Sequence, residues 1–144
     1  MIDFDLSQFS EGLKKKQAAV HAAVRPAAQL AAEHIYFEAR LRCPVSAEAH
    51  YFYGKNSVKT GVRYLFQPGN LRDSIYQVYS KANSTDKRAT YHISWNHIKA
   101  PYGFMVEYGT SRAPAHPFLR PAVLAASEMA AQIMRAEFLK QVNK

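Results

Sequence analysis

The segment YGFMVEYGTSRAPAHPFLRPA occupies residues 102–122 and contains three structural signals, one after another. Large side chains recur at every second position from Tyr102 to Tyr108, which predicts a strand with one apolar face. Glycine and proline dominate the connection that follows, and they favour a turn with restricted backbone angles. From Pro117 onward we expect a helix, because proline is tolerated in a first helical turn and apolar residues then recur at helical spacing.

The turn in this segment is expected to be rigid and to hold the strand and the helix at a fixed angle. We call it the corner and define it by Gly109, Thr110, Pro114, Pro117 and Pro121. A positive φ angle at Gly109 would make glycine necessary at that position. Glu107 and His116 could form an acid–base pair, but no nucleophile or orienting group lies at a matching spacing. The sequence favours a strand-face carboxylate for Glu107 and a loop position for His116.

The composition predicts one folded domain that covers residues 1–144. A chain of 144 residues can hold one core but not two, and its hydrophobic content of 48% supports folding. The net charge of +8 is compatible with a nucleic-acid partner, an acidic protein surface or solubility alone. The acidic N-terminus is unlike a secretory signal and the alanine-rich region is too polar to span a bilayer, so we expect no membrane partner.

Cysteine and histidine give no sign of a reaction centre. The single cysteine, Cys43, excludes an internal disulfide framework and is consistent with a reducing cytoplasm. His92, His97 and His116 share no spacing that is typical of metal ligands. We therefore expect no catalytic residue, no metal and no cofactor. A small nuclease that uses His92 or His97 is the third-ranked hypothesis, and it predicts an activity that alanine at those positions abolishes.

A long helical region is predicted after a short extended start at residues 2–5. It begins near Ser7 or Ser10 and ends at about Arg42, before Pro44. An unbroken helix of this length would extend about 54 Å, whereas a compact chain of this size has a radius of gyration of about 14–15 Å. We expect a break or kink at Pro26, because an interior proline loses a helical hydrogen bond. The alternative is a straight helix that protrudes and packs on a neighbouring subunit.

Residues 46–69 are too many for a usual structureless loop and predict a hairpin-like arm. Aromatic clusters flank a tip, residues 54–61, that contains lysine but no acidic residue. Such a segment is typical of an interface with a partner, whereas the alternative is that its aromatic residues fold back over the core. The candidate interface residues in the arm are Tyr51, Phe52, Tyr53, Lys55, Lys59, Arg63, Tyr64 and Phe66.

Two further strands are predicted, one at residues 73–80 and one at residues 88–96, where Tyr91, Ile93 and Trp95 share a face. Together with residues 102–108 they form an antiparallel meander. The predicted fold class is α+β. A small antiparallel sheet of three to four strands packs against a long N-terminal helix, kinked or straight, and against a C-terminal helix, and a long hairpin-like arm projects from the domain.

Several fragments, taken in order, give the chain a recognisable pattern. They are residues 39–45 (ARLRCPV), 69–75 (GNLRDSI), Tyr102 with 107–110 (EYGT), and 117–122 (PFLRPA). In this order and spacing they resemble the tail-completion or neck proteins of long-tailed double-stranded DNA phages, also described as head-tail joining or minor tail proteins. The resemblance spans nearly the whole chain. One departure is that the family commonly passes from its Pro-Val pair almost directly to the Gly-x-Leu-x-x-Ser-Ile turn, whereas this chain interposes the arm.

The resemblance implies a structural protein of a phage or prophage, made in the bacterial cytoplasm and incorporated into the virion at the tail or neck. It implies a homo-oligomeric ring, expected to be sixfold, at the junction of the tail tube and the head connector. The implied partners are other copies of the chain and the neighbouring tail and head-connector proteins. Arg112 and Arg120 are then candidates for pairing with an adjacent subunit or the next ring, although ordinary solvated arginines explain them equally well.

The second hypothesis is a basic nucleic-acid-binding protein that contacts DNA through Lys55, Lys59 and Arg63. In a ring, such residues could approach DNA that passes transiently through the lumen. We rank this hypothesis lower, because tight binding of phosphates would impede that passage. It predicts an affinity for DNA that falls steeply as the salt concentration rises.

Overall fold

Two long helices form the frame of the molecule in the computed structural model, which describes residues 6–54 and 57–144. Helix α1 spans Ser7–Arg42 and helix α5 spans Leu119–Val142, and they pack along each other. The contact is lined by small residues: Ala23, Ala27 and Ala31 of α1 are buried, as are Ala122, Ala126 and Ala130 of α5. Side chains this small allow the two backbones to approach closely. The extended start predicted at residues 2–5 lies outside the described residues.

Of the break or kink predicted at Pro26, the break is wrong, because α1 runs through that residue as one continuous helix. Proline removes one backbone donor, but Ala23 and Ala27 on either side of it are fully buried. Burial against α5 therefore outweighs the local cost of about 3 kcal/mol. The predicted end of the helix at Arg42 is confirmed, and the backbone of Cys43 closes the last turn by donating to the carbonyl oxygen of Ala39.

The remaining elements are short and lie between the two long helices in sequence. They are β1 (His50–Phe52), α2 (Ser57–Thr60), β2 (Tyr64–Phe66), α3 (Asn70–Ser74), β3 (Ile75–Tyr79), a 3₁₀ turn (Lys81–Asn83), β4 (Tyr91–Trp95) and α4 (Gly103–Tyr108). The α+β class is confirmed. The predicted sheet of three to four strands is instead two smaller sheets: among the described residues, β1 pairs with β2 and β3 pairs with β4, each antiparallel.

The predicted strand at residues 102–108 is the helix α4 instead. Its aromatic residues alternate in the sequence, but Tyr102, Gly103, Val106 and Glu107 face inward at helical spacing, while Phe104, Met105 and Tyr108 are exposed. Gly103 makes this helix possible, because a Cβ atom there would lie 2.3 Å from Nε1 of Trp95. Alternation of large residues fits both structures, so periodicity alone could not separate them.

The core lies where the end of α1, the β3–β4 pair and the start of α5 meet. Its buried members are Cys43, Leu71, Ile75, Trp95, Ala100 and Phe118. Ile75 and Trp95 are opposite each other in the strand register, and the Trp95 ring lies 5.8 Å from the Phe118 ring, centroid to centroid. Phe118, the residue that immediately precedes α5, is therefore part of the core and packs against Trp95.

Candidate functional site

The corner is tied to its surroundings by backbone hydrogen bonds at several points. Gly109 has a φ angle of +76° and a ψ angle of 178°, a combination that is open essentially only to glycine. A Cβ atom on Gly109 would lie 2.7 Å from the backbone nitrogen of Ala115. The Thr110 N–H donates to the carbonyl oxygen of Ala113 (2.9 Å), and the His116 N–H donates to that of Val106 (2.8 Å). Pro114 and Pro117 are exposed on its outer side, and Pro121 is half-buried in the first turn of α5.

Glu107 joins the end of α4 to the start of α5. Phe118 precedes the first residue of α5, and its side chain cannot accept a hydrogen bond from the free N–H groups of that helical end. The Glu107 carboxylate accepts them instead, at 2.7 Å from the nitrogen of Phe118 and 3.1 Å from the nitrogens of Leu119 and Arg120. Glu107 is only 1% exposed. A side chain eleven residues upstream of Phe118 therefore caps the helix and fixes the geometry of the corner.

The environment of Glu107 favours its charged form. Burial by itself raises the pKa of this carboxyl group, but the N–H groups of Phe118, Leu119 and Arg120 and the Arg120 side chain lower it, and the net pKa lies below the ordinary value. The helix N-terminus favours a negative charge in the same way. The prediction of a strand-face carboxylate is thus wrong. No hydrogen bond joins Glu107 to the exposed His116, so the structure does not assemble that acid–base pair.

The arm consists of a two-stranded hairpin with two different faces. The predicted hairpin is confirmed, with Tyr51 opposite Leu65 and Phe52 opposite Tyr64. On the inner face, the Phe66 ring lies 5.0 Å from the Tyr102 ring and the Phe52 ring lies 6.2 Å from it. Phe52 and Phe66 therefore fold back on their own chain. The other aromatic residues of the arm, Tyr51, Tyr53 and Tyr64, are each more than half exposed.

The basic side chains that the sequence predicts at interfaces lie in different environments. Arg63 lies over the Tyr53 ring at 5.5 Å, and Lys59 is exposed on α2. Lys55 lies outside the described residues. Arg120 is occupied within its own chain, 3.5 Å from the Glu107 carboxylate and 4.7 Å from the centre of the Tyr108 ring. Arg112 is exposed, and its side chain has no hydrogen-bonding or ionic partner in the described part of the chain.

The sequence fragments that carry the resemblance contact one another around the core. Arg40 donates to the Asp73 carboxylate at 3.0 Å, which joins the first fragment to the second. Asn70 of the second fragment donates to the Tyr102 hydroxyl oxygen at 3.2 Å. Glu107 then binds the backbone of the last fragment. Polar contacts thus join each fragment to the next, near the end of α1 and the start of α5.

Two other titratable groups near this set have shifted pKa values for local reasons. Burial raises the pKa of the Cys43 thiol to about 12, which leaves it protonated and unreactive at neutral pH. The hydrogen bond from Arg72 lowers the pKa of Asp73, and Arg40 adds to that effect.

Within residues 6–54 and 57–144, no three His, Cys, Asp or Glu side chains are grouped in a way that could hold a metal ion. No described helix is long and apolar enough to cross a membrane.

The surface of the chain is large for its mass, and many large apolar side chains lie on it. Its accessible area is 10,653 Å², whereas a compact monomer of 16.3 kDa exposes about 7,500 Å². Among the described residues, the only large apolar side chains that are buried are Leu71, Ile75, Trp95 and Phe118. Many others lie on the surface, including Leu6, Phe9, Phe37, Leu41, Val58, Ile98, Phe104 and Leu124.

Comparison of the chain with protein-family models, with curated proteins and with solved structures finds no match. The functional interpretation therefore depends on the residues themselves.

Sequence reasoning missed the capping role of Glu107, although two signals were present. Glu107 is the one charged residue in an otherwise uncharged run from residue 100 to residue 111, and the helix after Pro117 has no Ser, Thr, Asp or Asn at its start.

Proposed function

We propose that this chain is a structural subunit of a phage tail, which completes the tail and joins it to the head connector as part of a homo-oligomeric ring. The resemblance of the four fragments supplies the tail-completion assignment. The large accessible area, with many large apolar side chains on the surface, is the observation that supports the proposal physically. On this proposal the chain has no reaction to catalyse, and its function is to present surfaces at fixed angles.

The area of the surface is sufficient for such a role. The chain exposes roughly 3,000 Å² more than a compact monomer of its mass would. A standard interface covers about 800 Å² on each partner, and a ring subunit has two neighbours. Both ring contacts, about 1,600 Å² per subunit, therefore fit within the excess.

The corner supports the proposal because it would keep those surfaces in a fixed relation. The Glu107 carboxylate joins α4 to α5, and the backbone of Gly109 reverses the chain between them. The exposed side chains of Tyr108 and Arg112 lie beside this joint. A subunit that must close a ring needs contact surfaces held at one angle, and a joint fixed by three hydrogen bonds to the buried Glu107 carboxylate would provide it.

Deletion of the gene tests the proposal in the phage or prophage that carries it. Electron microscopy of lysates should show separate heads and tails, and expression of the wild-type chain in trans should restore joined particles. A Glu107→Ala chain should restore few, whereas Glu128→Ala, at an exposed position of α5, should restore them fully. Normal particles in the deletion strain would contradict the proposal.

A nucleic-acid-binding protein is the second candidate, and the arm is the observation that favours it. Arg63 lies over Tyr53, and Lys59 and the exposed Tyr51 are in the same hairpin arm. Cations next to exposed rings are typical of surfaces that contact phosphates and stacked bases. Fluorescence anisotropy with a labelled single strand and a labelled duplex tests this candidate. Binding that weakens steeply with salt and is lost in Lys59→Ala/Arg63→Ala would favour it, and no binding at low salt would dismiss it.

A further inference from the structure

Strand β4 has one edge that pairs with β3 and a second edge without a partner. The N–H of Asn96, just beyond the paired residues, donates to the carbonyl oxygen of Ser74 at 2.9 Å. Hydrogen-bonded positions alternate along an antiparallel pair, so the even-numbered residues of β4 are the ones that bond to β3. The backbone groups of Tyr91 and Ile93 therefore point away from β3. In the part of the chain that the structure describes, they have no hydrogen-bonding partner.

This second edge lacks the features that usually protect an unpaired strand. Natural edge strands carry lysine or proline, or contain a bulge, and these features prevent another strand from pairing. The sequence of β4, YHISW, has no lysine and no proline, and its register with β3 is regular. The edge can therefore accept a further strand, which would pair with its free N–H and C=O groups.

A shallow groove of about 360 Å³ lies between β4 and the first turns of α5. We call it the edge groove, and its apolar lining consists of Ile93, Leu119, Val123 and Leu124. Leu124 is 80% exposed and Val123 is 47% exposed, so much of this lining is uncovered. Successive side chains of a strand point to opposite faces of its sheet. A strand added to β4 would thus direct alternate side chains to the face on which Ile93 meets α5.

Arg120 is the one charged residue that lines the edge groove. Its Nε atom faces the Glu107 carboxylate at 3.5 Å, but its side chain is 62% exposed, and a guanidinium carries several further N–H donors. Glu107 is buried and accepts three backbone N–H groups of its own chain. Residues 87–106, which contain β4, include three basic residues and no acidic one. The electrostatic surroundings of the edge groove therefore favour a carboxylate.

We propose that β4 accepts an extended segment of a different protein, which carries a large apolar side chain and a carboxylate. The backbone of the segment pairs with β4, its apolar side chain enters the edge groove, and its carboxylate binds the Arg120 guanidinium. The β4 strand of a second copy fits less well, because it brings basic and no acidic neighbours, and like charges that face each other are destabilising. This inference goes beyond the proposed ring and does not depend on it.

Selection from a displayed library of random decapeptides, with the full chain as bait, tests this site. One selected peptide, synthesised with a fluorescein label, is the probe for affinity measurements by fluorescence anisotropy. We expect the selected peptides to share a large apolar residue and an aspartate or glutamate. Binding should slow the hydrogen exchange of the Tyr91 and Ile93 amides, measured by NMR, because these groups gain a partner. A library without enriched peptides, or a bound peptide that leaves both amides unprotected, would contradict the inference.

Two matched variants of α5 locate the peptide. Leu124 is 80% exposed, and Leu139, fifteen positions farther along the same helix, is 58% exposed, so neither glutamate variant should change the circular dichroism spectrum. Leu124→Glu should weaken binding at least about tenfold, because it removes an apolar contact and adds a negative charge beside the peptide carboxylate. Leu139→Glu should bind like the wild type. Equal affinity of all three proteins would place the peptide outside the edge groove and overturn the inference.

Changes to the peptide distinguish strand pairing from other modes of binding. N-methylation of every second residue should weaken binding at least about tenfold in one of the two possible registers, because it removes the N–H donors that pair with β4, and should have little effect in the other register. Equal effects in the two registers would rule out strand pairing. Replacing the peptide carboxylate by an amide should also weaken binding, and an unchanged affinity would refute the role of Arg120.

Hydrogen exchange of the chain without peptide tests whether a second copy occupies the edge. Protection of the Tyr91 and Ile93 amides should be low at every protein concentration, because only a different protein supplies the added strand. Protection that rises with concentration would overturn the inference. These measurements do not require ring assembly, so their failure leaves the proposed function intact.

Discussion

Replacing Glu107 by glutamine tests the helix cap that fixes the corner. The substitution keeps the size of the side chain but replaces one carboxylate oxygen by an NH₂ group, which cannot accept a hydrogen bond. With three backbone N–H groups directed at the site, at least one loses its acceptor. A hydrogen bond to a charged group contributes about 1.5–3 kcal/mol, and a charge at a partly buried helix end up to about 2 kcal/mol. We expect the free energy of unfolding to fall by about 3 kcal/mol, and the melting temperature by roughly 6–12 °C.

The effect of Glu107→Gln should depend on pH with a definite sign. The pKa of Glu107 in the folded chain lies below the ordinary value of 4.5, so the unfolded chain binds this proton more readily. The charge of Glu107 therefore contributes its full stabilisation above pH 4.5, and the contribution is lost as the pH falls through the lower pKa of the folded chain. The difference in unfolding free energy between the wild type and Glu107→Gln should be largest at neutral pH and should shrink in acid.

Urea denaturation followed by circular dichroism, at neutral pH and in steps down to about pH 3, measures this difference directly. Glu128→Gln is the matched control, because Glu128 is exposed on α5 and its replacement should change the free energy by less than about 0.5 kcal/mol. Asp73 also has a lowered pKa, but it is present in all three proteins and cancels in the comparison. Equal stability of the wild type and Glu107→Gln at neutral pH would refute the capping role.

Three other predictions concern the same end of the molecule. Gly109→Ala should destabilise the fold by about 2 kcal/mol or more in thermal melts. The φ angle of +76° is strained for alanine, and the new Cβ atom would lie 2.7 Å from the Ala115 nitrogen. A wild-type melting temperature would show that the corner tolerates a side chain. Gly103→Ala should displace the Trp95 ring, because the added Cβ atom would lie 2.3 Å from its Nε1 atom, at a cost of about 1–3 kcal/mol. Because Trp95 is the single tryptophan, its fluorescence should shift to longer wavelength, and an unchanged spectrum would contradict the packing. Burial raises the pKa of the Cys43 thiol to about 12. Cys43 should therefore react with a thiol reagent at pH 8 far more slowly in the folded chain than in urea. Equal reaction rates in the two conditions would count against its burial.

Features with a strong local signal could be predicted from the sequence. The end of α1 at Arg42 follows from Pro44, the hairpin of the arm follows from its paired aromatic clusters, and β4 follows from the alternation around Trp95. The α+β class follows from these elements together. Each of these predictions depends on residues that are close in sequence.

Features that depend on contacts between distant segments could not be predicted. Pro26 is tolerated in α1 because α5 buries the residues on either side of it. The helix at residues 103–108 depends on the fit of Gly103 against Trp95, and the start of α5 depends on Glu107. In all three cases a tertiary contact outweighs the local preference, and a single sequence contains no direct record of that contact.

Cryo-electron microscopy of assembled tails most directly tests the proposal that this chain is a ring subunit at the junction of tail and head. We expect density for α1, α5 and the corner between them in a closed ring, with six copies at the end of the tail that receives the head connector. Tails in which no such ring is present, together with purified particles from which the chain is absent, would contradict it.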